Sequence, residues 1–432
     1  MKRKLYFACV LLILMMIVVS AFACLPQKET KNPGKVTVLD DRFDLTNKVL
    51  NFMEELYYDD VDYDLADLYA AYGLVSSLGK YNYINSVEDL LSSASDGMGF
   101  GLIVRNTVYN EHLIDMILDG SPFLTPSDGR SAQRGDEIYA IEGIRLSGVD
   151  SSTYSAYISQ LPSDKAVTFT LKRDGETFDV SYQKVAFQFL TCIYFNDLPG
   201  VDAEFGYICL RSFEFTKTIE QEFQMAIRSF NEDGNRALIL DLRGNGGGNA
   251  SVFAMVASAL IGENTTVGEK LLEIHYAKLN YTSPVYSVAA AHKITTPIYV
   301  LCDGRTASAS EALIGTMKVH GTLTALIGQN TVGKGVAQNG MNVNIEDSLG
   351  YFKDYALDEN GDITEFGEYL VQLIVGKYFI IDPSAEGGKY CIHENPFVPD
   401  IKITGDNVVS PDYSEDLYIA AAMNHYSENK NS

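Results

Sequence analysis

The chain has 432 residues, with 57 acidic against 33 basic side chains for a formal net charge of −24, and 46% hydrophobic and 21% charged residues. This length calls for two to three folded cores, and the composition excludes a disordered polymer. The acidic excess argues against nucleic acid as a partner, since that needs a basic face.

The N-terminus reads as a targeting signal. Met1-Lys2-Arg3-Lys4 is a positive leader, an apolar stretch runs from Leu5 to Val19, and Ser20-Ala21-Phe22-Ala23-Cys24 follows. The pattern predicts a secretory signal over residues 1–23. Ala21-Phe22-Ala23 fits a small-x-small cleavage site, and the same bond precedes Cys24, a candidate for lipidation. Ala21 stands where a lipobox usually carries Leu, and an uncleaved anchor is the third reading. The expected location is extracytoplasmic, on the outer face of the cell membrane as a lipoprotein or secreted. Export permits disulfides among Cys192, Cys209, Cys302 and Cys391, but spacing does not pair them, and buried thiols are an equal alternative. The six histidines are scattered and no C-x-x-C pair occurs, so a metal site has no support and no cofactor is expected.

Residues 24–40, with Pro26, Pro33 and Gly34, read as a tether. Residues 41–95 form a helical unit on the helical spacing of Leu45, Val49, Phe52, Met53 and Leu56, then of Leu65, Leu68, Tyr69 and Tyr72. Residues 96–185 read as a β-rich module. Val167–Leu171 alternates like a strand before the turn Arg173-Asp174-Gly175. From residue 186 the pattern becomes α/β. Thr216 is a candidate cap for a helix carrying Ile219, Phe223, Ile227 and Phe230 on one face. Ala237–Leu240, Pro297–Cys302 and Leu323–Ile327 are short apolar runs of the buried-strand kind. They end, in order, in the loop Gly244-Asn245-Gly246-Gly247-Gly248, in Asp303-Gly304-Arg305-Thr306 before a helix beginning near Ser308, and in Gly328-x-x-x-x-Gly333-Lys334. In open α/β sheets, sites form outside the carboxyl ends of strands.

Three chemistries gather at those ends. Ser308 would hold its hydroxyl at the positive end of a helix, with the Ala309 N–H placed to stabilise an oxyanion; alone, Ser followed by Ser310 and Glu311 at a helix start is usually a helix cap. Lys334 lies between two glycines, and on a strand it shares a face with Val336 and Gln338. A lysine acts as a base only when neutral, so its ordinary pKa of about 10.4 must fall by roughly three, or about 4 kcal/mol, a change burial can supply. The alternative is a phosphate-binding lysine, but Gly335 stands where a P-loop needs Ser or Thr. The glycine loop is either a tight turn or a donor nest for an anion.

Together these segments resemble the C-terminal processing, or tail-specific, serine peptidases. Leu74–Tyr81 is similar to that family's helical segment. Gly99-Phe100-Gly101-Leu102 with Gly135-Asp136-Glu137-Ile138 is similar to the carboxylate loop and core turn of a PDZ domain. Leu240–Gly248 resembles the catalytic glycine loop, Ser308–Glu311 with Gly333-Lys334-Gly335 and Gln338 the nucleophile and base segments, and Val398-Pro399-Asp400 the closing strand. The resemblance covers about 41–405.

It implies a multidomain α+β protein: an N-terminal helical unit (41–95), a PDZ-like β module (96–185), an α/β catalytic domain of the ClpP/crotonase-like type (186–405) and a C-terminal tail helix (406–432). It implies a serine endopeptidase with Ser308 as nucleophile, Lys334 as base and Gln338 positioning the lysine. The oxyanion hole would come from Ala309 with Gly246 or Gly247. Gly99, Phe100, Gly101 and Leu102 would bind the free C-terminus of a protein or peptide substrate. A lipid anchor at Cys24 and a homo-oligomer are further expectations. Val319 stands near where some members carry an Asp, which disfavours an Asp-assisted variant. The competing reading is a non-catalytic extracellular peptide-binding protein on the same scaffold.

Overall fold

A computed structural model describes Val49, residues 63–86 and residues 98–430, apart from 108, 128, 188–189, 215–217, 344–368 and 406. The signal, the tether, Cys24, most of the 41–62 helical expectation and Thr216 lie outside the described residues. Among the described residues, no helix is long and apolar enough to cross a membrane.

The chain divides into two compact units. Among the described residues, the first gathers those before residue 87 with Tyr276–Leu279, 337–343 and 369–376. It contains the helix Tyr63–Ser76 and the strand Tyr83–Ser86, which pairs antiparallel with Tyr369–Gln372. Asn82 ties the two together: its Nδ2 donates to the Leu78 carbonyl and its Oδ1 accepts the Ile374 N–H at 2.8 Å. The described residues 337–343 and 369–376, expected within the catalytic domain, thus cluster with the helix Tyr63–Ser76 and the strand Tyr83–Ser86.

The second unit holds the antiparallel module and the α/β layer. In the module, strands Leu102–Asn106, His112–Ile117, Glu137–Ile141, Ala166–Arg173 and Glu176–Gln183 follow one another across one sheet. Phe100, Phe123, Phe169 and Tyr182 fill its core with ring contacts of 4.2–6.1 Å. The helix Ser151–Gln160 contributes Tyr154, Tyr157 and Ile158 to that core.

The α/β layer is a six-stranded sheet in the order Cys192–Phe195, Phe205–Leu210, Ala237–Asp241, Ile298–Cys302, Leu323–Gly328, Ile401–Lys402. All neighbours but the first pair are parallel. The apolar runs read from the sequence are continuous because both faces are covered. Leu238, Leu240, Ile298 and Val300 meet the helices Ile219–Glu232, Ala250–Leu260 and Ala309–Val319 on one side. Ile239, Tyr299, Leu301 and Ile327 meet Tyr418, Ile419 and Ala422 of the C-terminal helix Leu417–Lys430 on the other. The tail helix is therefore part of the core. Cys192 lies opposite Leu210 and Ile193 opposite Cys209, so the two cysteines point to opposite faces and cannot form a disulfide without breaking the register. All four described cysteines are free thiols.

A buried ionic seam joins module and α/β layer. Asp115 pairs with Arg105 at 2.6 Å and with Arg134 at 3.0 Å. Arg134 reaches Asp416 at 3.4 Å, and Asp416 meets Arg243 at 2.9 Å. Arg243 pairs with Asp241 at 2.5 Å, and Asp241 also accepts the Tyr207 hydroxyl at 2.6 Å. Burial pushes the Asp115 carboxyl up, but the guanidiniums of Arg105, Arg134 and Arg243 outweigh it and hold its pKa at about 2. Breaking such a pair on one side typically costs about 3–5 kcal/mol, because a charge is left buried alone.

Candidate active site

Three parallel strands deliver their carboxyl ends to one place. The strand Ala237–Asp241 runs into the glycine loop, which is held on both flanks. On one flank, the Gly244 N–H donates to Asp303 Oδ1 at 2.9 Å, and the Ala307 N–H donates to the Asn245 carbonyl at 3.0 Å. On the other, the Phe213 N–H donates to the Gly247 carbonyl and the Asn249 N–H to the Phe213 carbonyl, both at 2.8 Å. Asn245 is fully buried; its Nδ2 donates to the Leu210 carbonyl and its Oδ1 takes the Gly247 N–H at 3.0 Å. The loop needs its glycines. A Cβ on Gly247 (φ 98°) would stand 2.6 Å from Ser308 Cβ and 2.8 Å from the Ala309 nitrogen, and one on Gly248 (φ 145°) 2.4 Å from the Phe213 carbonyl carbon.

The strand Ile298–Cys302 ends in a turn whose Thr306 hydroxyl donates to the Leu242 carbonyl at 2.9 Å. Ser308 follows with φ 58° and ψ −118° and caps the helix Ala309–Val319. A non-glycine residue in such a conformation is strained, and strain held in place by its surroundings is common at reactive positions. Ser310, the neighbouring hydroxyl, is fully buried and donates to the Asn245 carbonyl at 3.1 Å. It locks the two loops together. Ser308 remains partly open.

The strand Leu323–Gly328 leads to the lysine. Val332 N–H donates to the Thr306 carbonyl at 3.0 Å, Glu394 N–H to the Gly333 carbonyl at 2.9 Å, and the Tyr378 hydroxyl to the Lys334 carbonyl at 2.5 Å. Gly335 lies so close to His393 that a Cβ would meet its nitrogen at 2.4 Å. Burial lowers the Lys334 pKa, while the carboxylates of Glu214 and Glu311 pull it back up.

Glu311, in sequence only half of a helix cap, ties the segments of the site together. It is fully buried. Its Oε2 accepts the N–H of Ser308 at 3.0 Å and that of Lys334 at 2.8 Å; its Oε1 accepts the Gly333 N–H at 2.7 Å and the Thr331 hydroxyl at 2.5 Å. One carboxylate oxygen thus ties the backbones of the serine and the lysine together. A buried acid one helical turn after a serine, with a Gly-Lys-Gly run some twenty residues on, is the signal that could have found it.

Of the other expected residues, Ala309 follows Ser308 directly, and the Gly247 N–H is given to Asn245 in this arrangement. Gln338 belongs to the first unit, where its Nε2 donates to the Tyr81 carbonyl at 2.5 Å. Gly99 pairs with Val185, Phe100 lies in the module core, Gly101 adopts φ 65°, and Leu102 opens the strand at the module's edge.

A strained serine at a helix start is thus joined, through one buried carboxylate, to the backbone of a lysine whose pKa burial lowers. Residues 204–367 match the sequence profile of peptidase family S41. The chain is 26% identical over 307 residues to the carboxy-terminal processing protease CtpA of Bacillus subtilis (strain 168), covering 69% of this chain and 61% of that protein. It is 23% identical over 308 residues to CtpB of the same organism, covering 69% and 60%. The chain thus matches about three-fifths of the length of these relatives. Among solved structures, a crystal structure described as an S41 protease from Bacteroides fragilis NCTC 9343 superposes with a TM-score of 0.52 at 17% identity, over 82% of this chain and 87% of that one. It has the same mixed α/β fold.

Proposed function

We propose that this chain is a peptidase of family S41, a serine endopeptidase that hydrolyses peptide bonds of exported proteins, with Ser308 as nucleophile and Lys334 as general base. The observation that carries this reading is the shared Glu311 oxygen, which holds the Ser308 and Lys334 backbones in one arrangement. Lys334 in its neutral form takes the Ser308 proton as Oγ attacks the substrate carbonyl carbon. The Ala309 N–H, with Gly246 or a Gly247 released from Asn245, stabilises the oxyanion; each such donor is typically worth about 10²–10³ in rate. Collapse of the intermediate expels the amine, which takes the proton back from Lys334, and water then hydrolyses the acyl-enzyme by the same route. Gln338 keeps the lysine-positioning role as a proposal.

The antiparallel module is proposed as a PDZ domain that captures substrate C-termini. Its strand Leu102–Asn106 stands at the end of the sheet order and pairs on one side only among the described strands. Leu102 and Val104 of this strand, and Tyr157 and Ile158 of the helix, pack against the module core. An extended peptide would add to this edge and place its carboxylate at Gly99–Leu102. The leader and Cys24 are proposed to export the protein and anchor it to the membrane by lipid.

The test is digestion of a peptide carrying a free C-terminal tail by the wild type, Ser308→Ala and Lys334→Ala. Cleavage by the wild type alone is expected. Equal cleavage by all three would remove the site assignment, and no cleavage by any would favour the peptide-binding alternative.

A further inference from the structure

A cavity of about 390 Å³ lies beside the glycine loop, within the size range of small-ligand pockets. Its walls include the module strand at Ile103–Arg105, Arg211 and Ser212 after the strand Phe205–Leu210, Gly244 of the glycine loop, and Arg305 of the nucleophile turn. The Ser212 hydroxyl donates to the Gly247 carbonyl at 3.4 Å, and Arg305 Nη2 lies 3.7 Å from where a Cβ on Gly244 would stand. The cavity thus abuts the loop that carries the expected oxyanion donors.

The lining is rich in arginine although the chain as a whole carries −24. Most of that local charge is already matched. Arg105 and Arg134 answer Asp115, Arg243 answers Asp241 and Asp416, and Arg305 answers Asp303. Arg211 is the exception: it is exposed and, among the described residues, makes no ion pair. Spare donors stand near it. Arg105 gives Nε and Nη2 to Asp115, and Arg305 gives the same two nitrogens to Asp303, which leaves each Nη1 without a partner among the described residues. One unmatched positive charge with spare guanidinium donors suits a single carboxylate rather than a polyanion.

The strand wall indicates the source of that carboxylate. Leu102 and Val104 pack on the module core, whereas Ile103 packs against the core of the α/β layer and Arg105 enters the ionic seam. Ile103 and Arg105 therefore share the face turned to the cavity. The strand pairs on one side only among the described strands. A peptide added to its other edge would alternate in the same way, with every second side chain on the cavity face. With its C-terminus at Gly99–Leu102, the residues just upstream would pass Ile103–Arg105. We propose that this cavity is a substrate subsite for one acidic side chain, Asp or Glu, a few residues upstream of the captured C-terminus, with Arg211 reading its charge and Arg105 and Arg305 as supporting donors. The inference rests on the peptide-capture and peptidase reading above and adds a side-chain preference to it. The stem of the acidic residue would lie against Ile103 and Leu190, which also line the cavity.

The test is fluorescence anisotropy of labelled octapeptides with a free C-terminus, titrated with the full chain carrying Ser308→Ala so that none is cleaved. One Glu is scanned through an alanine-based sequence, each peptide being compared with its Gln counterpart. At one position, or at two positions spaced by two, Glu is expected to bind roughly threefold to fivefold more tightly than Gln. Elsewhere the acidic chain gives Glu no advantage. Adding Arg211→Gln, at an exposed position outside the seam, should abolish the preference while the Gln peptides bind as before, and Arg211→Lys should keep part of it. Equal binding of Glu and Gln peptides at every position would overturn the proposal. So would a preference that survives Arg211→Gln, or a failure of every peptide to bind. Digestion of the same peptides by the wild type judges the peptidase reading separately: cleavage without a Glu preference sinks the subsite alone, and a Glu preference without cleavage sinks the peptidase reading alone.

Discussion

Two buried acidic centres of the second unit make a contrast. In the seam, Asp115, Asp241 and Asp416 are met by guanidiniums, charge against charge, with side-chain exposures of 6% or less. In the cleft, Glu311 is just as buried but is met by backbone N–H groups and a hydroxyl. Guanidinium partners neutralise a carboxylate and fasten two elements together. Backbone donors leave its charge in place while fixing the chain around it. The first arrangement suits a joint, and the second suits a site where a lysine must be held near a negative charge and still lose its proton.

The largest expected effect is at the lysine. Lys334→Arg keeps the positive charge but cannot lose its proton at working pH, so kcat should fall by about 10²–10⁴, the usual range for losing a general base. Steady-state assay of the purified variant checks this. Full activity would erase the difference between cleft and seam, since a permanently charged partner would then serve in both.

Next is the seam. Asp416→Ala leaves Arg243 and Arg134 facing a void, and should destabilise the fold by about 3–5 kcal/mol, read by denaturant melts. The seam also predicts acid sensitivity. Because the folded Asp115 pKa of about 2 lies below its unfolded value of about 3.9, its contribution is full above pH 4 and is lost as pH falls toward 2. A stability–pH curve flat across that interval would contradict the ion-pair assignment.

Glu311→Gln sharpens the contrast from the other side. The amide offers one acceptor oxygen and an NH₂ that opposes the N–H groups of Ser308, Gly333 or Lys334. A cost of about 1–3 kcal/mol in stability is expected from the broken buried bonds, with a loss of kcat larger than the loss of substrate affinity. A rise in KM alone would make Glu311 a mere structural acid. The smallest effect concerns the module: amidating a substrate C-terminus should weaken binding by about tenfold, from the loss of charge-assisted bonds. Unchanged affinity in a titration would count against carboxylate capture.

Much of this was legible locally. The apolar runs at 237–240, 297–302 and 323–327 became parallel strands because fully buried strands lose their alternation, and the polar stretches after them marked the carboxyl ends where Ser308 and Lys334 sit. What was hidden is non-local. Asp115, Arg243 and Asp416 lie more than a hundred residues apart from one another, and no pattern in one segment announces a partner in another. The place of the tail helix was not legible, because Tyr418, Ile419 and Ala422 acquire their meaning only against the far face of the sheet. Glu311 was visible as a helix cap, but its bonds to Gly333 and Lys334 arise from the packing of two strand ends.

The central claim is that neutral Lys334 activates Ser308, and a serine-directed acylating probe read by mass spectrometry tests it most directly. The account predicts that the wild type gains one acyl group on the peptide containing Ser308, faster as pH rises, and that Lys334→Arg gains almost none under the same conditions. Equal labelling of Ser308 in both proteins, or labelling at Ser310 instead, would contradict it.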